Sequence, residues 1–366
     1  RHYFPMEWIL NLLDFMHTIG MNLLHFRLTD DQAFNYQPRR YPHLAQPAPG
    51  ATSVYSVEEL QQIVEYAQER NIVVMPELNL PGHAGAWGTE WVVPCHRTIC
   101  ESAYGVPLQI SSSSSTNYDN LMSMLQHLLQ ELVSIFHTSP FIHLGGDEWD
   151  MADACLEEVG LESKDVQVEE FEEDLQSLLD GIPQVKNKKI VRWEVKKEVV
   201  QDEEGKFKMD PPKYRVQDIV QYWMTQGTIG TITASRKNAT EVLMTSEGLY
   251  FDVDQQRDGR AITAQIFQLV KRKPLAVIAG TFELGVDEWM DRNVLGRLFV
   301  VAMATYGGFK RAHFDDHYLD RCLQVLPQEL CTLQGMPLLP QNDYLMKMAD
   351  MKQRWKHNVC QRLTEG

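Results

Sequence analysis

Two adjacent carboxylates, Asp147 and Glu148, close the stretch Phe141-Ile142-His143-Leu144-Gly145-Gly146-Asp147-Glu148-Trp149. The apolar run before the two glycines reads as a buried strand. The C-terminal end of such a strand is where α/β folds place chemistry. Successive side chains on an extended backbone point to opposite sides, so one site can give the two acids different jobs. The competing reading is a solvated acidic loop, and the other strand ends decide between them.

Asp30 and Asp31 follow an apolar run at 21–28, and Glu77 and His83 follow one at 72–78. Trp193 and Glu194 lie in the run 189–195, and Trp223 closes 218–223. Tyr250 and Asp252 follow 242–246, while 275–280 leads to Glu283, Asp287 and Glu288. Each has a plain explanation alone: a Trp at a strand end is more often core than ligand, His83 after Pro-Gly suits a turn, and Asp30 suits a helix cap. Together they put acids, one histidine and aromatics on a single rim, which is the composition of a sugar site. Metal binding is the weaker reading, because only His83 and His143 are near the rim and His143 reads as mid-strand core. No glycine-rich loop opens a helix for phosphate, and no G-x-S-x-G elbow appears. The sequence implies no cofactor and no metal.

Helices must connect these strands. Apolar spacing places one at 5–17, with Pro5 in its first turn. Ser56 with Glu59 forms a capping box for a second helix, and 121–136 carries a strong third. Val168, Phe171, Leu175 and Leu178 mark another, and weaker helical patterns cover 226–237, 261–270 and 294–306. Residues 201–213 read as a charged surface insertion, and Ser111 to Ser115 as a low-complexity loop. Seven strands, most followed by a helix, mean a parallel sheet covered by helices. The expected fold class is α/β: a (β/α)8 TIM barrel lacking its first strand in this chain. Residues 1–310 would form the barrel and 311–366 a helical extension packed on it. A doubly wound sheet is the alternative, but it would not put functional residues after nearly every strand.

With 366 residues and 44% hydrophobic content, the chain can bury a large core. Its formal charge of −16 argues against nucleic acid, because phosphate binding needs a basic face. No stretch approaches the roughly 18 apolar residues of a membrane span. The chain opens on Arg1 rather than Met, which reads as a processed product or fragment with any targeting segment upstream. None of the six cysteines forms a C-x-x-C pair, which leaves buried thiols or disulfides open. Asn238-Ala239-Thr240 is a glycosylation sequon.

Four stretches carry a family resemblance: Arg1-His2-Tyr3-Phe4-Pro5, His25-Phe26-Arg27-Leu28-Thr29-Asp30-Asp31-Gln32, Pro76-Glu77-Leu78-Asn79-Leu80-Pro81-Gly82-His83 and His143-Leu144-Gly145-Gly146-Asp147-Glu148. They resemble, in order, successive motifs of the family 20 glycoside hydrolases, the β-N-acetylhexosaminidases. The match is strong over 1–150 and patchy to about 306. The resemblance implies removal of terminal β-linked GlcNAc or GalNAc by substrate-assisted retaining catalysis, an exception to the two-carboxylate scheme. The substrate's own acetamido oxygen would be the nucleophile, giving an oxazolinium intermediate. Glu148 would be acid and then base, and Asp147 would hold the acetamido N–H. Asp30 and His83 would support the acid through a proton chain. Tyr250 would donate to the acetamido carbonyl, Trp193 and Trp223 would wall its pocket, and Asp252 and Asp287 would bind the sugar. Cys95 and Cys155 match a disulfide pair, which with the sequon implies a lysosomal or secreted protein. A glycan is the expected partner, and a homodimer is left open.

The sequence departs from the family pattern at Arg27, where His is frequent, and at Asn79, where Asp is usual. The stretch Glu283-Leu284-Gly285-Val286-Asp287-Glu288-Trp289 replaces a Trp-Gly-Glu, and the first strand's sugar-gripping Arg is not in this chain. These changes support an alternative, a weak or inactive homologue that binds amino sugars. A two-carboxylate retaining glycosidase is a third reading, for which adjacent Asp147 is an awkward nucleophile.

Overall fold

The computed structural model describes residues 3–18, 20–48, 51–94, 105–110, 115–148, 168–193, 199–201, 207–209, 219–223, 243–245, 249 and 276–278. Its elements in chain order are α1 (Met6–Thr18), β1 (Leu23–Arg27), α2 (Val57–Glu69), β2 (Val73–Glu77), α3 (Ser115–Ile135), β3 (Phe141–His143), α4 (Val168–Asp180), β4 (Lys189–Trp193), β5 (Val199–Gln201), β6 (Phe207–Met209), β7 (Ile219–Tyr222), β8 (Leu243–Thr245) and β9 (Ala276–Val277).

Among the described residues, one sheet has seven strands in the order β1-β2-β3-β4-β7-β8-β9, and every neighbouring pair is parallel. Parallel neighbours need crossovers, and helices supply those between β1, β2, β3 and β4. The result is an α/β sheet clad by helices.

Register explains where the chemistry sits. Arg27 pairs with Glu77, Glu77 with His143, His143 with Val191, and Trp193 with Gln221. Paired residues on parallel neighbours share a face, and i, i+2 residues repeat it. One face therefore carries Leu23, Met75, Phe141, Val191 and Ile219 near the strand starts. Near the ends it carries His25, Glu77, His143, Trp193 and Gln221. The first layer packs as an apolar cluster, with Met75, Val191 and Ile219 buried. Above it lies a polar layer in which Glu77, His143 and Gln221 have no exposed surface. The opposite face meets the helices through a larger core that includes Leu13, Leu60, Ile63, Leu125, Leu132, Phe171 and Leu175.

The helix at α2 starts where its capping box predicts: Ser56 Oγ accepts from Glu59 N–H at 3.1 Å, and Ser56 N–H donates to Glu59 Oε2 at 2.7 Å. Two readings need correction, and the insertion at 201–213 gains detail. The α3 helix begins at Ser115, six residues before the first heavy apolar position, so the serine run is partly helical. The charged segment 201–213 contributes Phe207–Met209 to an antiparallel pair with Val199–Gln201. His143 is the last residue of β3 and belongs to the polar layer, not to a mid-strand core. The helices expected at 226–237, 261–270 and 294–306, and the boundary at 310/311, lie outside the described residues.

Candidate active site

The loops after β1, β2 and β3 bring four of the sequence-predicted residues together. His83 is buried, with Nδ1 3.1 Å from Asp30 Oδ1 and 3.0 Å from Asp31 Oδ2. Its Nε2 lies 3.2 Å from Glu148 Oε2 and 3.7 Å from Asp147 Oδ2. The imidazole thus bridges two acids on one side and two on the other. Both His83 and Glu148 hold left-handed backbone at φ 54°. That conformation costs about 1–3 kcal/mol for a non-glycine residue, and the surrounding hydrogen bonds must over-determine it.

Asp31 does a separate job. Its Oδ1 accepts the Gly85 and Val106 N–H groups at 3.1 Å each, and Oδ2 accepts the Gly105 N–H at 2.7 Å. The acid pins the chain after β2 onto the end of β1, which fixes the height of His83. Gly85 packs so tightly there that a β-carbon would stand 2.9 Å from the Asp31 carbonyl oxygen.

Glu77 is the centre of a second network that sequence reasoning placed on the rim without a role. Its Oε1 accepts from Trp193 Nε1 at 2.7 Å and from Arg27 Nη1 at 3.0 Å. Its Oε2 lies 2.7 Å from His25 Nε2. Arg27 also meets Asp30 Oδ2 through Nε at 2.8 Å, joining the two networks. The rings of His25 and His143 stack at 4.7 Å, and His143 lies 4.7 Å from the Trp193 ring. The sequence offered only a faint signal: His25 and Arg27 alternate around Phe26, and Glu77 is a lone acid at the end of a buried apolar run, and buried polar groups require partners.

The electrostatics follow from burial and these partners. Burial alone would lower the His83 pKa, but Asp30, Asp147 and Asp31 outweigh it and hold the ring well above its ordinary value. Burial would raise Glu77, yet the Arg27 guanidinium and the hydrogen bond from His25 hold it well below the usual carboxylate range. Asp147 is raised, chiefly by burial and also by Glu77, against the pull of His83, Arg27 and the Asn79 amide. His143 is pushed down by burial, so it is neutral. Its Nδ1 accepts the Gly145 N–H at 3.0 Å, which leaves the proton on Nε2.

Three groups have the donor set for a cation: His25, Glu77 and His143; Asp30, Asp31 and His83; and His83, Asp147 and Glu148. In the first, the inward-facing His143 Nδ1 is committed to Gly145 and a guanidinium touches Glu77. In the second, Asp31 is filled by backbone N–H groups. These two donor sets fit hydrogen bonding better than metal ligation.

Trp193 is buried on the Glu77 network, and Trp223 follows β7 at the same end of the sheet, partly exposed. Tyr250, Asp252, Asp287, Cys95 and Cys155 lie outside the described residues. No helix among the described residues is long and apolar enough to cross a membrane.

Comparison with known proteins gives the chain's relatives. The human beta-hexosaminidase subunit beta is 36% identical over 153 residues, covering 40% of this chain and 26% of that protein. Beta-hexosaminidase subunit A1 of Dictyostelium discoideum is 33% identical over 151 residues, covering 40% and 27%. The matched stretch thus spans about a quarter of each curated relative. Among solved structures, a beta-N-acetylhexosaminidase from Bacteroides fragilis superposes with a TM-score of 0.61 at 23% identity, over 93% of this chain and 70% of that one. A chitobiase from Flavobacterium johnsoniae gives 0.61 at 19%, over 96% and 52%. At such identities these two speak to the fold. The model of the glycosyl hydrolase family 20 catalytic domain matches residues 1–296, and the chain belongs to that family.

Proposed function

We propose that this chain carries the catalytic domain of a β-N-acetylhexosaminidase, which removes terminal, non-reducing β-linked GlcNAc or GalNAc from glycans. The observation that carries this reading is the line Asp30–His83–Glu148, with contacts of 3.1 and 3.2 Å, beside a separately held Asp147. Glu148 protonates the leaving glycosidic oxygen as the acetamido carbonyl oxygen attacks C1 and the C1–O bond breaks. Asp147 accepts the acetamido N–H and balances the positive charge of the oxazolinium. Water then adds at C1, Glu148 takes its proton, and the oxazolinium ring opens with retention. His83, an imidazolium between acids, passes a proton to or from Glu148 while Asp30 steadies its other nitrogen. Trp193 and Trp223 wall the acetamido pocket, Tyr250 donates to its carbonyl, and Asp252 and Asp287 hold sugar hydroxyls.

The seven parallel strands are read as seven of the eight in a TIM barrel. Residues 1–310 complete what this chain contributes to it, and 311–366 pack outside. A Cys95–Cys155 disulfide braces the site loops, as suits a lysosomal or secreted protein.

The test is hydrolysis of an aryl N-acetyl-β-glucosaminide with inhibition by a thiazoline mimic of the oxazolinium. Glu148→Gln should lose at least about 10²-fold in kcat, and unchanged turnover would sink the reading. A second reading, an amino-sugar binder without turnover, is favoured by the altered stretch Glu283 to Trp289. Thiazoline binding with no hydrolysis would select it.

A further inference from the structure

Asn79 lies two residues past the end of β2, and its side chain spans the gap to the loop after β3. Its amide is fixed at both ends. Oδ1 accepts the Gly146 N–H at 3.1 Å, so Nδ2 must face the other way. There Nδ2 donates to Asp147 Oδ1 at 2.6 Å and lies 3.4 Å from Glu77 Oε1. Arg27 Nη1 meets that same Glu77 oxygen at 3.0 Å and stands 3.9 Å from the other Asp147 oxygen, Oδ2. Of the two oxygens, Oδ1 is tied down. The nearest described donors to Oδ2, His83 Nε2 and Arg27 Nη1, stand off at 3.7 and 3.9 Å. An amide cannot trade a proton with a carboxyl group, and a guanidinium does not give its proton up.

We propose that Asn79 and Arg27 are positioning residues, coupled through Glu77 Oε1, that fix Asp147 as a hydrogen-bond acceptor with Oδ1 held and Oδ2 kept for the substrate's amide N–H. This rests on the hexosaminidase reading above. The charged and polar groups facing Asp147 are His83, Glu148, Glu77, Arg27 and Asn79. Replacing the amide by a carboxylate puts two acids at hydrogen-bond distance, where they retain one proton between them to higher pH. Removing the guanidinium acts in the same direction, since it takes away a cation that favours the Asp147 anion.

The experiment is the pH profile of kcat/KM on an aryl N-acetyl-β-glucosaminide for the full chain and for Asn79→Asp, Arg27→Gln and Arg27→Lys. Asn79→Asp and Arg27→Gln should move the acidic limb up by about one pH unit or more, losing about tenfold on that limb. Arg27→Lys keeps the charge and should leave the limb in place while lowering kcat, because an ammonium cannot span Glu77 and Asp30 as the planar fork does. The limb position is independent of how much enzyme is folded, so a purely structural role would lower yield without moving it. Unmoved limbs in both Asn79→Asp and Arg27→Gln overturn the proposal. Should the wild type turn over no N-acetylhexosaminide, the pH dependence of thiazoline binding is read instead. The same upward shift in the variants supports the positioning role, and its absence overturns it. A wild type that neither hydrolyses nor binds removes the hexosaminidase reading and this inference together.

Discussion

Asn79 occupies the space that a β-carbon on Gly145 would need. Built on that glycine, the carbon would overlap the Asn79 amide outright and stand 2.7 Å from the Asn79 backbone. Gly145 also has φ +68°, a left-handed conformation that L side chains rarely adopt. Gly145→Ala therefore has to expel Asn79 from both Gly146 and Asp147. It should destabilise the fold on the order of 3 kcal/mol, summing a strained backbone and a lost charged hydrogen bond. Denaturant unfolding checks this. Trimming Asn79 as well should rescue only part, since the clash with its backbone remains.

Asp30 and Asp31 both touch His83 Nδ1, yet their other partners differ. Asp30 leans on Arg27, whereas Asp31 accepts three backbone N–H groups. Asp30→Asn should cost activity, about 10²-fold in kcat, with a smaller loss of stability. Asp31→Asn should do the reverse, because an amide cannot replace a carboxylate that accepts so many donors. The sign for Asp30→Asn also appears in pH. Removing that anion lowers the His83 pKa, so a limb that needs the imidazolium moves to lower pH. Paired kinetics and melting curves separate the two roles.

The sequence made much of this legible, for identifiable reasons. Parallel strands buried on both faces leave near-continuous apolar runs, so each strand of the main sheet among the described residues falls within a run read from the sequence. The capping box at Ser56 was readable because its chemistry is local. Asp30, His83, Asp147 and Glu148 were legible as acids and a histidine just past strand ends. The Glu77 network was not. Arg27, Glu77 and Trp193 stand far apart in the chain, and their meeting depends on the register of β1, β2 and β4. Asp31's three backbone partners were hidden for the same reason, since a carboxylate's donors on a distant loop leave no pattern beside it.

Glu77 makes the fold sensitive to acid. Its pKa is depressed in the folded state, so its stabilising contribution is full above the unfolded value of about 4.3. That contribution is lost as pH falls toward the lower folded value. Glu77→Gln removes one member of a buried charged set and should cost about 3–5 kcal/mol at pH 7. The gap between wild type and variant should shrink as pH drops below about 4. Unfolding midpoints measured from pH 7 to pH 3 report it, and a gap that stays constant would contradict the assigned pairing.

Trp193 has one observed contact and one proposed role, which a single substitution can separate. Its indole N–H donates to Glu77 Oε1 at 2.7 Å, and its ring is read as a wall of the acetamido pocket. Trp193→Phe keeps an aromatic surface but removes the donor to a buried carboxylate. Arg27 and His25 remain on Glu77, so the charge is not orphaned, and the loss should be about 1.5–3 kcal/mol of stability. The ring, no longer tethered, should settle differently against His143 and His25. If it walls the pocket, KM for an N-acetyl substrate rises several-fold while kcat falls less, because a mobile wall weakens binding of the acetamido group before it disturbs Glu148. Comparing substrates with acetyl and bulkier N-acyl groups reads this directly. Relaxed discrimination between them is the expected outcome, and unchanged discrimination with reduced stability would confine Trp193 to the core.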